Sequence, residues 1–167
     1  MRGITIRGPK SDEHKQIARV ITEAFAGHPH SDGGEATIYE RLLADGETGT
    51  SYVAVGRLRR IVGHIVFSQV RIDGRLCGWC GLGPLSVLPG WQRRGIGSAL
   101  VEEGLADLRR AGWNGCVVLG EPAFYGRFGF RHDPRLVYPG PPPGYFQRIV
   151  FSGPEPHGEV SYARAFG

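Results

Sequence analysis

No apolar run in the 167-residue chain approaches the roughly 20 residues needed to span a bilayer. Lysine is almost missing. Lys10 and Lys15 stand against 18 arginines, within a net charge of +4. The arginines are scattered, with short pairs at Arg59-Arg60, Arg93-Arg94 and Arg109-Arg110. There is no basic tract and no RNA- or DNA-binding signature, so nucleic acid is not an expected partner. Arginine favours bidentate phosphate contacts, which makes a local phosphate site the better use of the charge.

Cysteine is scarce too. Cys77, Cys80 and Cys116 fit a reducing compartment. Cys77-Gly78-Trp79-Cys80 has the C-x-x-C form, but a zinc site would want a second pair or a nearby histidine pair. A redox site would want the motif at a helix start, whereas this one lies in a strand-like segment, so structural cysteines are expected. The histidines show no metal-ligand spacing beyond the weak His28-Pro29-His30, and no metal is expected. The opening Met1-Arg2-Gly3-Ile4-Thr5-Ile6-Arg7 has no apolar h-region, so the expectation is a cytoplasmic protein with neither secretory signal nor membrane anchor.

What the chain has in quantity is glycine (27) and proline (12), without the fixed period that collagen demands. Strong apolar segments argue against general disorder. The length fits one domain over residues 1–167, with a core that needs no disulfide or metal for stability.

Ile4 to Arg7 alternates like a short strand. Ser11 offers an N-cap for a helix whose Ile17, Val20, Ile21, Ala24 and Phe25 share one face. Gly27 to Gly34 reads as a polar loop, and Glu35 to Ala44 as a second helix. Ser51 to Val55 and Ile61 to Ile72 read as strands. Asp73-Gly74 is a strong hairpin signal before a returning strand, Leu76 to Leu88. Gly83-Pro84 should interrupt or splay that strand, because proline cannot donate to a ladder. A helix follows with Ile96, Leu100, Val101, Leu105, Leu108 and Ala111 on one face, stopped by Gly112. Cys116 to Leu119 suits a central strand. Ala123 to Phe128 suits a short helix, with extended structure resuming at Phe130. Pro139 to Gly144 reads as a rigid loop and Tyr145 to Phe151 as a last apolar strand. The fold class is α/β with a mixed sheet.

Between strand and helix lies Gln92-Arg93-Arg94-Gly95-Ile96-Gly97-Ser98. A helix N-terminus has unpaired N–H groups and a partial positive charge. Gly95 and Gly97 remove side chains that would hold an anion off the backbone, and Arg93 and Arg94 add full charges. Together they suit an anion of pyrophosphate size. The loop is not a dinucleotide fingerprint, since a third glycine would fall at Leu100, and no P-loop string exists.

The segment Gln92-Arg93-Arg94-Gly95-Ile96-Gly97 resembles the acyl-CoA loop of the GNAT superfamily of N-acetyltransferases, [QR]-x-x-G-x-[GA], at every defined position. Leu85-Ser86-Val87-Leu88-Pro89 resembles the strand end before that loop. Phe124-Tyr125-Gly126-Arg127-Phe128-Gly129-Phe130, preceded by Gly120-Glu121-Pro122, is similar to the G-[DE]-P-x-[YF]-Y-x-R-F-G-F element of a bacterial subgroup of predicted acetyltransferases. Gly158-Glu159-Val160-Ser161-Tyr162 resembles that subgroup's C-terminal strand.

The resemblance implies a GNAT-like fold, with a mostly antiparallel sheet, a splayed fourth strand and flanking helices. It implies acetyl-CoA as cosubstrate and an amine as acceptor, taken by direct attack in a ternary complex. Leu85 and Val87 become backbone pairing positions for pantetheine, with Ser86 between them and a backbone N–H nearby to polarise the thioester carbonyl, and residues Gln92 to Ser98 hold the pyrophosphate. Tyr125 matches the tyrosine that protonates or hydrogen-bonds the departing sulfur; Phe124 beside it has no hydroxyl. Glu121 is the first choice of general base, with Asp32 and Glu35 behind it, and a water route needs none. A covalent route through Cys80 or Cys116 has no histidine near either in sequence. The competing function is a non-catalytic acyl-CoA-binding sensor of the same fold. The acceptor's identity and the choice between monomer and homodimer are not readable from the residues.

Overall fold

The computed structural model describes residues 1–167. Eight strands, β1 (Thr5–Arg7), β2 (Ser51–Val55), β3 (Ile61–Ile72), β4 (Arg75–Val87), β5 (Gly115–Leu119), β6 (Leu136–Val137), β7 (Phe146–Val150) and β8 (Gly158–Ser161), form a mixed sheet. Its main path runs β1-β2-β3-β4-β5-β7; all neighbours are antiparallel except β4 and β5. The helices are α1 (His14–Phe25), α2 (Glu35–Ala44), α3 (Ile96–Arg110) and the single turn α4 (Pro122–Tyr125). No helix is long and apolar enough to cross a membrane.

The two faces of the sheet are read from β3. An ideal Cβ at Gly63 would lie 3.1 Å from Leu100 and 3.2 Å from Ile96, so the odd-numbered residues of β3 face α3. The Tyr39 ring of α2 meets the His64 ring edge-on at 4.9 Å, so the even-numbered residues face α1 and α2. Both faces are sealed by apolar side chains, including Ile17, Ile21 and Leu42 on one side and Leu100, Leu105 and Leu108 on the other.

The Asp73-Gly74 turn closes the β3–β4 hairpin with both residues at positive φ, 49° and 75°, the geometry that matches strand twist. Further along, Ile65 pairs with Leu85 but Phe67 with Leu82, so β4 carries one extra residue at Gly83-Pro84. Pro84 has no N–H to give the ladder, and a bulge absorbs the defect. β4 then parts from β5: their parallel pairing runs from Trp79↔Gly115 to Leu82↔Val118 and no further. Leu85, Ser86 and Val87 keep β3 on one edge and have no strand on the other. The splay expected from glycine and proline is present.

Other expectations shift. Ser11 does not cap α1, which begins at His14 with Glu13 at the cap position and no side-chain cap. The Glu13 carboxylate instead takes Arg7 at 2.6 and 2.9 Å and the Lys10 N–H at 2.8 Å, and this clamp sets where the helix starts. The segment expected as a helix from Ala123 to Phe128 is α4 followed by a 3-10 turn, Gly126–Phe128. Phe130 starts no strand; beside it Arg131 makes only an isolated bridge to Arg148. β8 takes the edge of β3 beyond β2, pairing Ser161 with Arg71 and Val160 with Ile72. Buried Arg148 and Asp133, 3.0 Å apart, pin the neighbouring segment.

Candidate active site

After Val87 the chain makes a 3-10 turn, Pro89–Trp91, and then the loop that enters α3. The Gln92 side chain donates from Nε2 to the Val87 carbonyl at 3.0 Å, tying the loop back to the splayed strand. Arg93 and Gly95 both adopt positive φ, 60° and 82°, and Gly95 is the N-cap residue of α3. The first paired helical N–H is Ala99, which donates to Gly95 at 3.0 Å. The N–H groups of Arg93, Arg94, Gly95, Ile96, Gly97 and Ser98 have no backbone acceptor, and no side chain caps the helix. Ile96 buries its side chain in the core, so only its backbone is offered to the loop.

Space around Gly95 is open, since an ideal Cβ there meets nothing within 4 Å. The demand for glycine therefore comes from the left-handed backbone and from whatever approaches the N–H groups. Charge is gathered around them. Arg94 lies over the Trp91 ring at 5.2 Å. Arg127 donates from Nη2 to Ser98 Oγ at 3.2 Å and stacks over Phe124 at 4.9 Å. This is a cationic cradle at a helix N-terminus, and it fits a phosphate-bearing ligand.

Below the cradle the sheet is open. Val87 faces α3, with its Cγ2 3.8 Å from an ideal Cβ at Gly97. Ser86 points to the opposite face, where its hydroxyl is buried without a partner. Across the opening stands Tyr125 at the end of α4, 9% exposed, its ring edge-on to Phe124 and Phe130. The ring is seated on Gly120, where an ideal Cβ would fall 2.4 Å from Cε2. Burial, with the Cys116 thiol adding to it, pushes the phenol's pKa well above its ordinary 10.0, so Tyr125 stays protonated at neutral pH.

Residues 47–132 match the acetyltransferase (GNAT) domain family. The chain is 36% identical over 122 residues to YhbS of Escherichia coli (strain K12), an uncharacterized N-acetyltransferase, covering 71% of this chain and 73% of the relative. The chain belongs to the GNAT acetyltransferase family. Among solved structures, a GNAT acetyltransferase from Brucella melitensis in complex with acetyl-CoA superposes with a TM-score of 0.89 at 39% identity, covering 100% of both chains. The crystal structure of E. coli YhbS in complex with CoA superposes at 0.90 and 28% identity, covering 98% of this chain and 92% of that one.

The GNAT match spans the splayed strand, the loop, α3 and α4, so it contains every residue from Leu85 to Ser98 and from Glu121 to Tyr125. The fold brings the Leu85–Val87 edge, the Gln92–Ser98 loop and Tyr125 around one opening. Glu121 is exposed at the N-cap of α4, where its carbonyl accepts the N–H groups of Phe124 and Tyr125 at 3.1 and 3.0 Å. Asp32 accepts the Gly34 N–H at 2.8 Å in the turn before α2, and Glu35 begins that helix. Cys80 and Cys116 are buried register partners, and burial pushes the Cys116 thiol up, away from a reactive thiolate. No group of three or more His, Cys, Asp or Glu side chains is placed to hold a metal ion.

Two residues escaped sequence reasoning. Arg127 was legible only as part of a motif string, yet it joins α4 to Ser98 at the loop. Tyr162, from the far end of the chain, lays its ring on β4 at Gly81.

Proposed function

We propose that this acetyltransferase uses acetyl-CoA to acetylate a primary amine of a small molecule or protein, by direct attack within a ternary complex, as one catalytic unit spanning residues 1–167. The observation that carries the reading is the run of unpartnered N–H groups from Arg93 to Ser98 beside Arg93, Arg94 and Arg127. Backbone donors and fixed charge at a helix N-terminus suit the pyrophosphate of CoA. Acetyl-CoA and CoA are the ligands of the two solved relatives described above, which supports the same choice here.

From the loop, the pantetheine arm runs along the free edge of β4, where Leu85 and Val87 offer backbone groups that no strand takes. The thioester then reaches the point where β4 and β5 part, beside Tyr125. Holding both substrates in line supplies much of the acceleration. The amine nitrogen adds to the thioester carbon and gives up a proton to water or to Glu121. The carbon–sulfur bond breaks, sulfur keeps the electron pair, and Tyr125 donates its phenolic proton to it. The proton lost by the amine is returned to Tyr125 through solvent, so the products are the amide and free CoA.

Isothermal titration with acetyl-CoA, followed by thiol release with a panel of amines, tests the reading. It expects saturable one-to-one binding and protein-dependent thiol release with at least one amine. Absence of acetyl-CoA binding by the folded protein would contradict it.

A further inference from the structure

The chain holds four buried side-chain polar atoms without a hydrogen-bond partner: His64 Nδ1, Ser68 Oγ, Ser86 Oγ and Tyr162 Oη. All four belong to one face of the sheet. His64 and Ser68 are even-numbered residues of β3, and Ser86 is the register partner of His64. Tyr162 packs on that face, because an ideal Cβ at Gly81 would meet its Cε1 at 2.4 Å and Val70 at 3.0 Å. A buried hydroxyl left unpaired costs free energy, so a concentration of them on one face points to a polar group that belongs there.

Position narrows the choice. Gly81 pairs with Ser68 across β3–β4 and with Val117 across β4–β5, one rung before the last pair, Leu82↔Val118. The Tyr162 ring thus lies against β4 one rung before β4 and β5 part, with Ser68 on the neighbouring strand. Tyr125 belongs to the larger core cluster, with Cys116 and Val118, whereas Tyr162 packs against the smaller one that contains Val70, Trp79 and Val117. Its ring is fixed by Tyr138 and Phe166, with centroids at 5.1 and 5.0 Å. Burial raises the phenol's pKa well above its ordinary value, with Cys116, Tyr138, Cys80 and Tyr125 near enough to add to it. The hydroxyl therefore keeps its proton at neutral pH and is able to donate. One backbone donor is missing at this point of β4, because Pro84 has no N–H.

We propose that Tyr162 is a catalytic residue whose hydroxyl donates a hydrogen bond to the thioester carbonyl of acetyl-CoA, stabilising the charge that gathers on that oxygen as the amine adds. The assignment rests on the acetyl-CoA reading above. It gives the two phenols separate tasks: Tyr125 serves the sulfur and Tyr162 the carbonyl oxygen. Gly81 is then required because only a residue without a side chain lets the Tyr162 ring approach β4 so closely.

The test is isotope-edited infrared spectroscopy of acetyl-CoA labelled with ¹³C at the carbonyl, bound to the wild type, Tyr162→Phe and Tyr125→Phe. Phenylalanine keeps the ring, and Ser68→Ala serves as a second, smaller change on the same rung. The expected result is a carbonyl stretch shifted to lower frequency in the wild type and in Tyr125→Phe, and returned toward the free-ligand value in Tyr162→Phe. Thiol release should fall by about 10²- to 10³-fold in Tyr162→Phe, the range for losing one such donor. An unchanged stretch in Tyr162→Phe that still binds acetyl-CoA would overturn the assignment and leave the acetyl-CoA reading intact. A wild type that binds no acetyl-CoA would instead overturn both.

Discussion

The Gln92 side chain donates to the carbonyl of Val87, 3.0 Å away, and so couples the anion-binding loop to the free edge of β4. Its task is then to brace the loop. Gln92→Ala should weaken acetyl-CoA binding by about twofold to tenfold, the worth of one ordinary hydrogen bond, with little change in melting temperature. Titration calorimetry beside thermal unfolding separates the two effects. A loss of more than a hundredfold would make Gln92 a direct ligand instead.

Tyr125→Phe keeps the ring against Gly120 and removes only the hydroxyl. Acetyl-CoA should bind normally while kcat falls by about 10²- to 10⁴-fold, the span for a positioned general acid. Wild-type kcat in this variant would reduce Tyr125 to packing.

Arg93 and Arg94 are exposed on the loop. Affinity for acetyl-CoA should therefore fall as salt rises, whereas a pantetheine fragment without phosphates should respond little. Titrations of both ligands across a salt series check this; equal slopes would place the phosphates elsewhere.

Asp133 supports buried Arg148 at 3.0 Å and Arg135 at 2.8 Å. The hydrogen bond from Arg135, with burial opposing and further bonds from Arg135 and Arg148 helping, holds its carboxyl well below the ordinary 3.8. A depressed carboxyl contributes stability that is full above its unfolded value and is lost as pH falls below about that value. Asp133→Asn should cost about 2 kcal/mol at neutral pH, because buried Arg148 loses its nearer carboxylate and keeps only Glu155, at 3.3 Å. It should also flatten the acid limb of the stability curve. Denaturant unfolding at several pH values reads both, and an unchanged acid limb would show that other carboxyls set it.

The elements that positioned the opening were legible because their signals are local. Asp73-Gly74 can close a hairpin on its own backbone preferences, and Pro84 cannot donate whatever surrounds it. The run of glycines and arginines before α3 speaks through backbone chemistry alone. Ser11 misled because a competing clamp, Arg7 with Glu13 and the Lys10 N–H, fixes the start of α1 through an ion pair that helix propensity does not encode. Tyr162 was legible only as the end of a C-terminal strand segment, with no role, for a related reason. Its place depends on β8 docking beyond the end of β2 and on the bare backbone of Gly81 far away in sequence. Only the folded chain brings those together.

The central claim is that the N–H groups between Arg93 and Ser98 hold the pyrophosphate of acetyl-CoA. Gly95→Asp is its most direct test, because it puts a carboxylate into open space at the mouth of that cradle without striking any neighbour. Gly95 has φ 82°, so some loss of stability is expected as well, about 1 kcal/mol or somewhat more. Calorimetric titration of the folded variant should show acetyl-CoA affinity reduced at least tenfold against the wild type. Equal affinity in a folded Gly95→Asp protein would contradict the account.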